Sequence, residues 1–155
     1  MVPHGDHVNM PEQTPYEEHP APPVNERGRA YDPDATDDER TYALLMHLSL
    51  LGHVIIPFIT IIAPIVMWHV KKDQSPYLDD HGRESINFQI SLIIWSFVLP
   101  IIAALVGLVT CGVGLILLVP AAILPYVIGL VGMIQASIAA NRGEFYRYPM
   151  TFRFV

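Results

Sequence analysis

One cysteine, Cys111, is all that the 155 residues contain, which excludes an intrachain disulfide framework and a cysteine-built zinc site. Charge is also scarce. Asp, Glu, Lys and Arg make up 15% of the chain, against roughly 25% in a soluble domain. The nine Lys and Arg residues are too few to form the basic face that tracks a nucleic-acid backbone, so nucleic acid is excluded as a partner. The little charge present is unevenly shared: residues 1–40 carry a net −7 and residues 41–155 a net +1. No Lys, Arg, Asp or Glu occurs in the 28 residues from Ala43 to Val70, nor in the 56 from Ile86 to Asn141. Both runs far exceed the ~18–20 apolar residues of a transmembrane helix, and so short a chain cannot wrap two of them in a soluble core. The expected class is all-α: a polytopic transmembrane helical bundle with the lipid bilayer as its partner.

Residues 1–36 are of another kind. Seven prolines fall before position 36, and Val2, Val8 and Val24 are the only branched aliphatics there. Such a segment buries too little apolar area to offset its ordering entropy, so a disordered, acidic, Pro-rich tail is expected over 1–36. The start has neither the basic nor the apolar region of a secretory signal. His4, His7 and His19 are scattered and read as solvated, so no metal site or cofactor is assigned.

The membrane domain is expected over 37–143, with helices at about 37–53, 55–72, 80–109 and 114–141. Thr36 and Glu39 have capping-box spacing, the glycines of Thr110–Gly114 mark a turn, and Asn141-Arg142-Gly143 closes the last helix. The first run divides at Gly52–Pro57 into a short hairpin, giving four spans; left undivided it gives three. Four crossings put every Lys and Arg on one side, which the positive-inside rule favours. The expected location is the bacterial cytoplasmic membrane, with both termini cytoplasmic and residues 144–155 a cytoplasmic segment.

Inside the spans, Tyr42, Ser49 and His53 share one helical face; Asn87 and Ser91 share another, opposite Gln89. Polar groups in hydrocarbon need partners, so these stripes face other helices or line a polar path. Gly129, Gly132, Ala136 and Ala140, like Ala103 and Gly107, form smooth ridges for close helix packing within or between subunits. His47, His53 and His69 lack acidic companions and read as hydrogen-bonded or interfacial, and Trp68 reads as an interfacial anchor. No nucleophile–base pair or carboxylate pair points to catalysis, so the chain is expected not to be an enzyme.

Charge concentrates in the loop Lys71-Lys72-Asp73-Gln74-Ser75-Pro76-Tyr77-Leu78-Asp79-Asp80-His81-Gly82-Arg83-Glu84, which runs into Ser85-Ile86-Asn87-Phe88-Gln89-Ile90-Ser91, and again in Gly143–Arg153. Together with Glu39-Arg40 and Leu44–Leu51, these segments resemble the Tic20-like family of small bacterial membrane proteins, also labelled DUF4870, over residues 38–153. The resemblance implies a helical bundle. Its chloroplast-import members imply protein translocation, and its magnetosome membrane members imply organisation of a membrane or its complexes. Lys71, Lys72, Asp73, His81, Gly82, Arg83 and Glu84 are expected to form a cytoplasmic polar cluster with Glu144, Tyr146, Arg147 and Tyr148, closing the bundle or docking a partner. The expected function is a non-enzymatic scaffold or translocation-related subunit, acting through self-association or other membrane proteins. The alternative is a small transporter or channel with a polar path through the bundle.

Overall fold

The computed structural model describes residues 21–54 and 62–155. Four α-helices follow in order: α1 (Asp37–Ser49), α2 (Ile62–Lys71), α3 (Pro76–Val109) and α4 (Leu115–Asn141), with a 3₁₀ turn at Leu50–Val54. Among the described residues there is no strand, and pairing is limited to isolated bridges at Val24–Ala30 and Tyr31–Glu144.

The capping box forms as its spacing predicts. The Glu39 N–H donates to Thr36 Oγ1 (3.3 Å) and the Thr36 N–H donates to Glu39 Oε2 (2.8 Å). The helix is shorter than the expected 37–53, because the Leu50 N–H turns back to the His47 carbonyl and tightens the chain into 3₁₀ geometry. The expected second helix, 55–72, begins in residues outside those described and is seen from Ile62. The third starts four residues before the expected position 80. Pro76 takes the first helical position, where its missing N–H costs nothing, and Asp79 lies in the first turn. The α3–α4 turn carries Cys111 (φ 51°) and Gly112 (φ 87°), and the Thr110 hydroxyl caps it by accepting the Gly114 N–H at 2.9 Å. At the far end of α4, Gly143 (φ 74°) permits a Schellman closure: Glu144 N–H to Ala139 O and Gly143 N–H to Ala140 O, both 3.0 Å.

Helices α3 and α4 are about 51 and 40 Å long at 1.5 Å per residue, and continue through Pro100, Pro120 and Pro125. Only 6% and 17% of their most apolar stretches is buried within the molecule. A core helix of a soluble protein would be mostly covered, whereas these two are bare, and each is long and apolar enough to cross a membrane. Leu108, Val109 and Leu117 near the turn are each at least 79% exposed.

The packed core lies at the other end. Leu50, Phe88, Leu92, Met133, Ala136 and Tyr148 form one cluster, and Ala35, Ala43, Tyr77, Leu78 and Ala140 another. Helix α1 runs antiparallel to α4, with Arg40 beside Gly143 and Leu50 against the Met133 region. Helix α2 returns to the same end, where Lys71 lies over the Tyr42 ring (5.8 Å) and Trp68 packs on Gly82. The described parts of the first two helices thus lie side by side, and the turn expected at Gly52–Pro57 falls partly outside the described residues.

One expectation about the ends of the chain is corrected. Residues 21–36 are not a structureless tail. They turn at Asn25–Gly28, where Asn25 Oδ1 accepts the Arg27 N–H (2.9 Å), and then lie across the C-terminal segment. Local hydrogen bonds and ion pairs to a distant partner hold them, in place of apolar burial. Residues 1–20 lie outside those described. Residues 144–155 run along α3 as far as Trp95, whose Nε1–H donates to the Met150 carbonyl (3.2 Å), and then turn back. Asn87 Oδ1 accepts the N–H groups of Phe154 (2.8 Å) and Val155 (3.0 Å), and Ser91 Oγ accepts that of Phe152 (2.8 Å). Side chains of α3 thereby fix the end of the chain against that helix through its backbone donors.

Candidate functional site

The charge-rich end gathers most of the expected cluster but divides it in two. The buried part centres on His81, which α3 aims at α1. His81 Nδ1 lies 2.8 Å from His47 Nε2, and His47 Nδ1 is 3.0 Å from both the Tyr148 and the Ser85 hydroxyls. With Nδ1 of His47 accepting from a hydroxyl, its Nε2–H donates to His81, so the four groups form one connected network. Tyr148 stacks on Phe88 with ring centroids 4.0 Å apart. Burial, with the Glu84 carboxylate adding to it, pushes the Tyr148 hydroxyl well above its ordinary pKa, so it stays protonated.

Two carboxylates are fully covered beside this network. Glu84 accepts the Tyr148 backbone N–H (2.8 Å) and lies 3.6 Å from Arg153. Glu144 accepts from Asn25 Nδ2 (2.9 Å) and pairs with Arg27 (2.7 Å) and Arg29 (3.5 Å). Arg29 also lies over the Tyr146 ring at 5.6 Å, and the Tyr146 hydroxyl donates to Gln135 Oε1 (3.2 Å). Arg147 makes a two-pronged pair with Asp80 (2.6 and 2.7 Å), and that hydrogen bond raises the guanidinium pKa above its ordinary value.

The second part is exposed and built on Trp68. Its Nε1–H donates to Asp79 (2.8 Å), which also accepts from Arg83 (2.8 Å), while Lys72 lies over the indole at 5.2 Å. Gly82 gives Trp68 room, since a Cβ there would collide with the indole. Lys71 donates to Gln74 (2.7 Å), and Asp73 is solvent-exposed. Trp68 therefore locks α2 onto α3 as well as standing where an interfacial anchor would.

The polar stripes serve packing. The Tyr42 hydroxyl donates to the Met67 carbonyl (2.9 Å), Ser49 to Met46 O (2.7 Å) and Ser91 to Asn87 O (2.8 Å); Gln89 is buried. The His53 side chain lies outside the described residues. The small-residue ridges pack within the chain: Gly132 faces the Tyr148 ring, Gly129 faces Phe88, Ala136 and Ala140 are wholly buried, and Gly107 meets Leu115. Ala103 is half-buried on the same helix as Gly107. Sequence reasoning missed Asn25, Arg27, Arg29 and Asp80 as site residues. Only Asn25-x-x-Gly28 carried a local signal, that of a side-chain-stabilised turn. Among the described residues, no group of three or more His, Cys, Asp or Glu is arranged to hold a metal ion.

Compared with the sequence models of protein families, residues 38–155 match that of the MamF/MmsF group, the magnetosome magnetite crystal formation protein family. The chain belongs to that family. The match overturns the Tic20-like, DUF4870 assignment, although the residues that suggested it lie inside the matched stretch. No curated protein and no solved structure matches the chain. In this family member, the site just described is the conjunction of the 71–84 loop, the C-terminal segment and residues 25–29.

Proposed function

We propose that this chain acts, without catalysing a reaction, as a membrane-anchored scaffold in magnetite crystal formation, holding its polar cap at the surface of a magnetosome membrane. One observation carries the reading: the family match covers the bare apolar hairpin and the part of the cap from residue 38 onward. All nine Lys and Arg stand at that end, and the Thr110–Gly114 turn at the other has none. The positive-inside rule then puts the cap, with both ends of the described chain, in the cytoplasm. The described parts of α1 and α2 run about 20 and 15 Å, and α2 is described only from Ile62. Four full crossings would leave the charges on the same side. The cap offers association surfaces to a second copy or to other membrane proteins.

Deleting the gene in a magnetite-forming bacterium and sizing the crystals by electron microscopy tests the proposal. Smaller or misshapen crystals, restored by the intact gene and not by one with α3–α4 removed, are expected. Unaltered crystals would refute it. The transporter alternative draws no support from the polar stripes, because Tyr42, Ser49, Asn87 and Ser91 are hydrogen-bonded inside the protein.

A further inference from the structure

Two helical stripes line an open groove between α1 and α4. On α1, Arg40, Leu44 and Leu48 follow one another at four-residue spacing; on α4, Arg142, Ile138 and Ile134 do the same. Because the helices are antiparallel, the two arginines stand at one end, Arg40 packing beside Gly143, next in the chain to Arg142. Leu44, Leu48, Ile134 and Ile138 wall a groove of about 340 Å³ that ends at Asn141 and Arg142. Leu48, Ile134 and Ile138 are 37%, 48% and 46% exposed, although α1 and α4 otherwise bury their contact faces well.

The charges at the groove's mouth are unequal to those elsewhere in the cap. Arg27, Arg29, Arg83, Arg147 and Arg153 each have a carboxylate partner. Arg142 is exposed and engaged by no acid among the described residues. Arg40 reaches one only at 3.9 Å, the fully exposed Asp37, and its buried Nε has no hydrogen-bond partner among the described residues. Arg142 also directly follows the last residue of α4, which places it where that helix leaves the hydrocarbon.

We infer that this groove binds one anionic phospholipid, its phosphate on Arg142 and the upper part of an acyl chain along Leu44, Leu48, Ile134 and Ile138. A guanidinium at the interface suits a phosphate diester, and the aliphatic walls below it suit a chain and exclude water. A protein partner would have to leave Arg142 unpaired or bring its own acid; a lipid supplies charge and chain together. The inference rests on the membrane-embedded reading, but not on any role in crystal formation.

Native mass spectrometry of the full-length protein in detergent tests it, with phosphatidylglycerol and phosphatidylcholine of identical chains added in equal amounts. The wild type is expected to retain phosphatidylglycerol about fivefold over phosphatidylcholine for each guanidinium engaged. Arg142→Gln is expected to lose most of that preference. Ile138→Trp, which fills the groove on an exposed face, is expected to lose the adduct while circular dichroism stays unchanged. Asp37→Asn is expected to retain at least as much lipid as the wild type. Equal retention of the two lipids by the wild type overturns the inference, as does an Arg142→Gln protein with the wild-type preference. Soluble glycerol phosphate that binds equally well to wild type and Ile138→Trp would show a phosphate site without a lipid, and overturns it too. Failure of the membrane reading itself would register separately, as release of the protein from membranes by alkaline carbonate.

Discussion

Glu144 joins three parts of the chain that are far apart in sequence: the end of α4, the 25–29 turn and the aromatic C-terminal segment. Its carboxylate is covered while Arg27 and Arg29 remain 59% and 39% exposed, so most of the desolvation falls on one partner. Glu144→Ala removes hydrogen bonds made to a charge, each net worth about 1.5–3 kcal/mol, and exposure of the arginines pulls the total toward the lower figure. The expected result is a lower detergent melting temperature and faster proteolysis near Arg27 and Arg29, with α3 and α4 intact by circular dichroism. Glu39 gives a pH dependence. The Thr36 backbone N–H, then Ser75 and the Thr36 hydroxyl, hold its pKa below the ordinary 4.5, against a smaller desolvation. A lowered folded-state pKa means that the stabilisation is complete above the unfolded value and is lost as pH falls through the folded one. Amide exchange at residues 39–42 is therefore expected to accelerate below about pH 4.5. Thr36→Ala should weaken that step and cost about 1 kcal/mol at neutral pH.

Between elements, two contacts set the cap. Helix α2 is held to α3 by Trp68 lying on Gly82, with Asp79 fixing the indole N–H. Since the Trp68 Cβ itself blocks the space, Gly82→Ala must push the helices apart, at a cost of about 1–3 kcal/mol. The check is a lower melting temperature together with a red shift of Trp68 emission in a Trp95→Phe background. Gly132→Leu should act likewise on the C-terminal segment, because the Tyr148 ring already stands 3.1 Å from where a Cβ would be. Helix periods, charge-free runs and the capping box were legible in the sequence because they are local. The Gly132–Tyr148 and Trp68–Gly82 contacts were legible only as small residues and an aromatic awaiting partners. The docking of residues 21–36 was hidden: composition describes what a segment can bury, and this one is held by hydrogen bonds to Glu144, more than 110 positions away.

For the whole molecule, the division of charge seen along the sequence becomes a division in space. A cap holds all the Lys and Arg residues, and a hairpin of two long helices extends from it with an uncharged turn at the tip. The residues of the expected cluster lie at the cap, where those around His47 and His81 are buried and those around Trp68 are more exposed. Family membership was not legible from the motif order alone, since the 71–84 loop and the C-terminal segment suggested a different family. The central claim is that α3 and α4 cross the membrane as one hairpin, leaving the cap on one side and Cys111 on the other. Cys111 is the natural single cysteine and is exposed, so an impermeant thiol reagent can report on it directly. In sealed right-side-out vesicles Cys111 is expected to react without permeabilisation, whereas a cysteine at Arg147 in a Cys111→Ser background should react only after it. Reaction of both positions from the same side would contradict the account.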